Sequence, residues 1–325
     1  MSDSNDELMM ETMYWWGIPT LFRCEHNKDL AECDIALAGV PHSTGNGTTE
    51  RDQHLGPRAV RHVSAGLRRV HLDFNINPWK KKKIFDLGDV ALPHANNNEK
   101  CIEHITSFYS KIARANKPVV SIGGDHSITG GILQGLSSNN LEMTKGKKIS
   151  FLHIDAHTDT FSQLDHFMGA KKSAAHWGAY LVDQGIINPQ NSMQIGMRGN
   201  PRTLDWLQPS YDLGYNVVTM EEFKKRGIKE VINETLEKIG DNPVYITFDL
   251  DSLDASVAPA VSNIEPSFTG FTIDEAKALI QSVKNKNVIG GDVVCLMPTK
   301  DQQNNITSMV AASIMFEIIS VIAYK

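Results

Sequence analysis

Three short stretches carry ionisable residues at spacings suited to metal-assisted hydrolysis: "GGDHS" (123–127), "DAHTD" (155–159) and "DLDSLD" (249–254). Together they offer His126, Asp155, His157, Asp159, Asp249 and Asp251. Two imidazoles and four carboxylates form a mixed nitrogen and oxygen set that suits a borderline divalent ion. Manganese leads and nickel is second, with cobalt, iron or zinc as substitutes. The charge of the four carboxylates would be balanced by two divalent cations. Six side chains also exceed what one metal with an open position takes, but serve two if some carboxylates bridge. A pair roughly 3.5–4 Å apart can hold and ionise a water between them.

Simpler readings exist for each stretch alone. A D-x-D at a strand end is often a cap or a single-metal feature. "GGDHS" alone could be a turn in which Gly123 and Gly124 supply unusual backbone angles and His126 sits in the core. The D-x-H-x-D is stronger. Alternate residues of a strand share a face, so Asp155, His157 and Asp159 would crowd one surface beside a buried run. Isolated charges are costly to bury unless they are paired or bind a metal. His153 is in phase too and reads as a partner that orients one of the ligands.

These residues need strands that end at one place. Short β-branched runs at 34–40, 117–124, 148–155, 192–197, 243–251 and 287–294 have the look of buried strands. Between many of them lie amphipathic stretches such as "EKCIEHITSFYSKIARAN", "KEVINETLEKIG" and "TIDEAKALIQSVKN". That alternation predicts a mainly parallel sheet covered by helices on both faces. Ligands gather outside the carboxyl ends of such strands, which is where all three clusters fall. The 325 residues contain no Pro- or Ser-rich linker and no internal repeat. The expected organisation is an N-terminal arm, 1–33, and a single domain, 34–325.

Composition narrows the partners. A net charge of −6 argues against general nucleic-acid binding. The one basic run, "WKKKKIF" (79–85), reads as a solvated loop. Four cysteines without C-x-x-C pairing fit reduced thiols. The acidic N-terminus does not read as a signal peptide, and the terminal "AASIMFEIISVIAYK" reads as a packed helix because it is short and carries Glu317. The expectation is a soluble, cytoplasmic protein with no membrane partner.

"SIGGDHSIT", "HIDAHTDT" and "ITFDLDSLDASVAPAVS" resemble the three metal motifs of the ureohydrolases, the arginase and agmatinase family. "WGIPTLFRC", "DIALAGVPHSTG", "LGPRAVR", "FDLGDV" and "TSMVAASIMFEII" are also similar, the first to agmatinase-type members. The resemblance implies a three-layer α/β/α sandwich, assembled as a trimer or hexamer. It implies two metal ions, with His126 and Asp159 on one, His157 and Asp251 on the other, and Asp155 and Asp249 bridging. The implied reaction hydrolyses a guanidino group, releasing urea and an amine. Asp159 would carry a proton to the leaving amine, and His176, in "SAAHWGAY", would match the family's active-site loop histidine. Trp177 beside it is expected in the substrate pocket.

Two departures bear on substrate. Relatives typically carry a glutamate in a D-x-x-E-x-N-P motif that pairs with the guanidinium; here "GDVVCLMP" puts Cys295 at that position and Met297 at the asparagine. Glu265, in "SNIEPSF", is a candidate replacement. "TTERDQHLGP" (48–57) stands where relatives often have Arg-Gly-x-Arg. The leading expectation is therefore a guanidinase, making urea and ammonia from free guanidine, with agmatine or a guanidino acid next. The alternatives are a formiminoglutamate hydrolase, for which Lys171 and Lys172 would have to meet the substrate's carboxylates, and a non-catalytic partner subunit.

Overall fold

The computed structural model describes residues 15, 17–47, 51–137, 142–164, 169–265 and 269–325. Most of the first half of the expected arm, residues 48–50 of the departing stretch and 266–268 after Glu265 lie outside them. Nine strands form one parallel sheet: β1 (Glu25–His26), β2 (Ile35–Val40), β3 (Ile84–Asp89), β4 (Val119–Gly123), β5 (Ser150–Ile154), β6 (Met193–Met197), β7 (Asn216–Thr219), β8 (Pro243–Asp249) and β9 (Asn287–Val294). Their order is β1-β3-β2-β4-β9-β8-β5-β6-β7. The six runs marked on the sequence are all strands. β1, β3 and β7 are additions at or near the sheet edges, where short or polar segments such as Asn216–Thr219 carry little periodic signal.

The central strands are buried on both faces, which is why they read as continuous apolar runs. Along β5, Leu152 and Ile154 join one core layer while Phe151 joins the other. The first layer packs under helices Ile228–Ile239, Ile273–Ser282 and Ile306–Ala323; the second packs under Asn98–Arg114 and Ser127–Leu136. Helix Ile273–Ser282 starts at a capping box, Thr272 and Glu275 exchanging side-chain and backbone bonds.

The terminal helix runs to 18 residues and is long and apolar enough to cross a membrane by length and composition, more than its sequence suggested. It is 72% buried within the protein, and Glu317 bonds His71 at 2.8 Å. It is a core helix. The described end of the arm is likewise packed in: Leu21 and Phe22 are buried, and the Leu21 N–H donates to Asp86 Oδ2 at 2.9 Å. Arg61 closes that knot, donating to both Asp86 oxygens at 2.8 and 3.0 Å.

Candidate metal centre

Strands β4, β9, β8 and β5 are consecutive neighbours, and β6 follows β5. Their carboxyl ends therefore deliver His126, Cys295, Asp249 with Asp251, Asp155 to Asp159, and Arg198 to one stretch of the sheet's rim. The expectation that three strand ends converge is met, with a fourth strand, β9, threaded between β4 and β8.

The local geometry differs from the alternation read on the sequence. β5 stops at Ile154, so His157 and Asp159 lie on a loop rather than a pleated strand. Asp159 takes a left-handed backbone with φ of 51°, which turns its side chain back toward the site. Cys295 is left-handed too, at φ 69°. Such conformations cost a non-glycine residue about 1–3 kcal/mol and cluster where surroundings enforce them.

His126 Nδ1 faces three carboxylate oxygens: Asp155 Oδ2 at 2.9 Å, Asp159 Oδ2 at 2.9 Å and Asp249 Oδ2 at 3.3 Å. His157 Nδ1 faces Asp155 Oδ1 at 3.5 Å and Asp251 Oδ2 at 3.2 Å. Two clusters of donor atoms result, sharing Asp155. Burial opposes charge on His126, yet the carboxylates around it hold its pKa well above the ordinary value. Burial and the neighbouring Asp249 push the Asp251 carboxyl well up. The protein alone thus leaves a negative concavity that must recruit protons.

That concavity suits divalent ions. His126 Nδ1 is buried without a hydrogen-bond partner. Its Nε2 lies 2.9 Å from Thr247 Oγ1, and Thr247 donates its only hydroxyl proton to Asp292 Oδ1 at 2.7 Å. The Thr247 oxygen can therefore only accept from the ring, which puts the proton on Nε2 and leaves the Nδ1 lone pair aimed at the clusters. His157 is fixed in the same sense, since Glu265 Oε1 sits 2.7 Å from its Nε2. His153 is fully engaged, Nε2 on Asp155 Oδ2 at 2.7 Å and Nδ1 against Gln194 Nε2 at 3.1 Å. It orients Asp155 and has no nitrogen to spare for a metal. Bound there, divalent ions would supply a nucleophilic water ionised near neutral pH and positive charge at the reacting carbon.

A cavity of about 710 Å³ opens above the clusters, lined by His126, His157, Asp159, Asp249 and Asp251. Glu265 and Cys295 also line it. Glu265 fits because Gly199, at φ 107°, has no Cβ, and a Cβ there would collide with the carboxylate. Burial, then Asp249 and Asp251, drive the Cys295 thiol pKa well up, so the thiol is a neutral donor rather than a countercharge.

His176, expected to be catalytic, and Trp177, expected in the substrate pocket, do not line the cavity. His176 is buried off the cavity wall, its Nδ1 2.6 Å from Ser173 Oγ at the start of helix Trp177–Asp183. The wall at that point is Ala174 and Ala175. Trp177 is fully buried beside the site and donates from Nε1 to Asp159 Oδ2 at 2.9 Å, so it braces that carboxylate from behind the cavity lining. Lys171 and Lys172 are not on the wall either; their backbone N–H groups bond Glu99.

Sequence reading missed Thr247, Asp292 and Arg198. Arg198 follows β6 directly and donates to the carbonyls of Asp251, Ser252 and Leu253 at 2.7, 3.0 and 3.1 Å, holding the D-x-D turn in place. Its position just past a strand end was the available signal.

A parallel α/β sheet with two acidic-histidine clusters sharing a carboxylate defines a binuclear metal hydrolase class. The sequence profile of the Arginase family matches residues 33–320. The chain is 31% identical over 303 residues to the mitochondrial guanidino acid hydrolase of Homo sapiens, covering 93% of this chain and 82% of that one. It is 30% identical over 309 residues to guanidinopropionase of Pseudomonas aeruginosa, covering 94% and 92%. Among solved structures, proclavaminate amidino hydrolase of Streptomyces clavuligerus superposes with a TM-score of 0.85 at 29% identity, covering 96% of this chain and 99% of that one. The chain belongs to the arginase family, as a hydrolase of its agmatinase-like branch.

Proposed function

We propose that this protein releases urea from a small guanidino compound at a pair of divalent ions, manganese first and nickel second. The observation that carries the proposal is the convergence of both ligand clusters and Glu265 on one cavity. His126, His157, Asp155, Asp159, Asp249 and Asp251 would hold the ions. Glu265 supplies the guanidinium countercharge that Cys295 does not, from a loop that meets β9's end at the Val261 to Leu296 bridge. Asp159, braced by Trp177, is the carboxylate suited to pass a proton to the leaving amine.

Free guanidine, favoured by the exchange at Cys295, now ranks behind compounds with a tail. A cavity of about 710 Å³ is far roomier than guanidine needs and is of a size that encloses much larger ligands. The relatives named for guanidino acids favour the same order. A formiminoglutamate substrate loses support, since neither Lys171 nor Lys172 lines the cavity. A cytoplasmic homo-oligomer, trimeric or hexameric, completes the proposal.

The test is to load the protein with manganese or nickel and follow urea, ammonia and formamide from guanidine, agmatine, guanidino acids and formiminoglutamate. Urea from any guanidino compound supports the reading. Formamide alone would transfer the protein to formimino chemistry, and silence with two metals bound would make it a non-catalytic subunit.

A further inference from the structure

The cavity is polarised from floor to mouth. Its floor is anionic and buried: Asp249, Asp251 and Asp159, with Glu265 beside them. Its mouth includes the exposed segment after β6, where Pro201, Arg202 and Thr203 line the wall. Two arginines touch the cavity. Arg198 is occupied by three backbone carbonyls and is buried. Arg202 makes no hydrogen bond or ion pair among the described residues, so its guanidinium is available to whatever enters. The rest of the lining is mixed: Phe161, Leu164, Trp206 and Ile264 are apolar, and Asn46, Thr158, Asn200, Ser262 and Asn263 are polar.

This arrangement matches one class of guanidino compound. A cationic guanidinium belongs at the acidic floor and an anion beside Arg202 at the mouth, with a short chain joining the two. A tail ending in an amine would bring a second cation toward Arg202 and be disfavoured. A tailless compound gains nothing from Arg202.

We propose that Arg202 determines specificity by pairing with the tail carboxylate of a linear guanidino acid. This rests on the function proposed above and names its substrate class. An arginine presents a planar fork that matches a carboxylate through two parallel hydrogen bonds. Arg202 is exposed, so its contribution is smaller than that of a buried pair, about tenfold in KM.

The experiment compares the metal-loaded protein with Arg202→Gln and Arg202→Glu, measuring urea from 3-guanidinopropanoate, 4-guanidinobutanoate, agmatine and methylguanidine. The wild type should prefer a guanidino acid, and added salt should narrow that preference because the pair is screened. Arg202→Gln should raise KM for the acids about tenfold with little change in kcat. The ratio of kcat/KM for acid over methylguanidine should fall by the same factor. Arg202→Glu should lower that ratio further and bring agmatine ahead of the acids. Calorimetric titration with 3-aminopropanoate, the product amino acid, should show weaker binding to both variants. An unchanged acid preference in Arg202→Gln, or a wild type that favours agmatine or methylguanidine, overturns the assignment of Arg202 while leaving the urea-releasing function standing. No urea from any of the four overturns both.

Discussion

Replacing Thr247 with valine removes one oxygen and changes the volume little, yet it should weaken metal binding sharply. Thr247 Oγ1 sits 2.9 Å from His126 Nε2 and donates to Asp292 Oδ1 at 2.7 Å. Both neighbours are buried, and Asp292 is register partner to Thr247 across β8 and β9. Without the hydroxyl, the Nε2 proton of His126 loses its acceptor, and the ring is no longer held with Nδ1 toward the clusters. A buried donor left unsatisfied costs about 1–3 kcal/mol. Loss of a group that orients a metal ligand typically costs 10–100-fold in affinity, or about 1.4–2.7 kcal/mol. The two routes agree, so Thr247→Val should raise the dissociation constant for manganese about 10–100-fold.

Calorimetric titration of the metal-free protein is the assay, with Thr247→Ser as the control that retains the hydroxyl. Asp292 keeps Tyr245 and Thr129 as donors, so the metal-free Val variant should still fold, about 1–3 kcal/mol less stable. Wild-type metal affinity in the Val variant, or equal losses in Val and Ser, would refute the tautomer argument.

Glu265→Gln should lower kcat/KM by roughly 30–150-fold, from about 2–3 kcal/mol of lost pairing to a cationic substrate, as initial rates of urea release will show. His176→Asn should change urea release by only a few fold, since the ring lies off the cavity wall; a loss of several orders of magnitude would return it to the reacting atoms. Asp86→Ala should destabilise the fold by about 1–3 kcal/mol in denaturant unfolding, by freeing the Leu21 N–H and two Arg61 donors while Arg61 keeps Asp89 at 2.6 Å. Burial raises the Asp86 pKa, but the bonds from Arg61 outweigh it and the net pKa is below the ordinary 3.8. The stability it brings is therefore present above that value and is lost as pH falls through the lowered folded one, a dependence absent in Asp86→Ala.

The sequence by itself determined the elements and the chemistry. Buried parallel strands write themselves as apolar runs, and clustered carboxylates with histidines at their ends have few uses other than metal binding. Local spacing could not show how those ends are arranged. The apparent period of two through Asp155, His157 and Asp159 suggested a strand, whereas the chain leaves β5 at Ile154 and is turned by Asp159's left-handed backbone. Strand order brings Cys295 between the D-x-D turn and His126, and register lays Thr247 against Asp292. Only the tertiary structure put His176 and Trp177 behind the wall, brought Glu265 onto His157, and left Arg202 without a partner among the described residues. Those contacts join residues tens to over a hundred positions apart, and periodicity along the chain carries no information about them. Metal chemistry is local to strand ends and could be read there; substrate choice depends on loops from different strands meeting across a cavity.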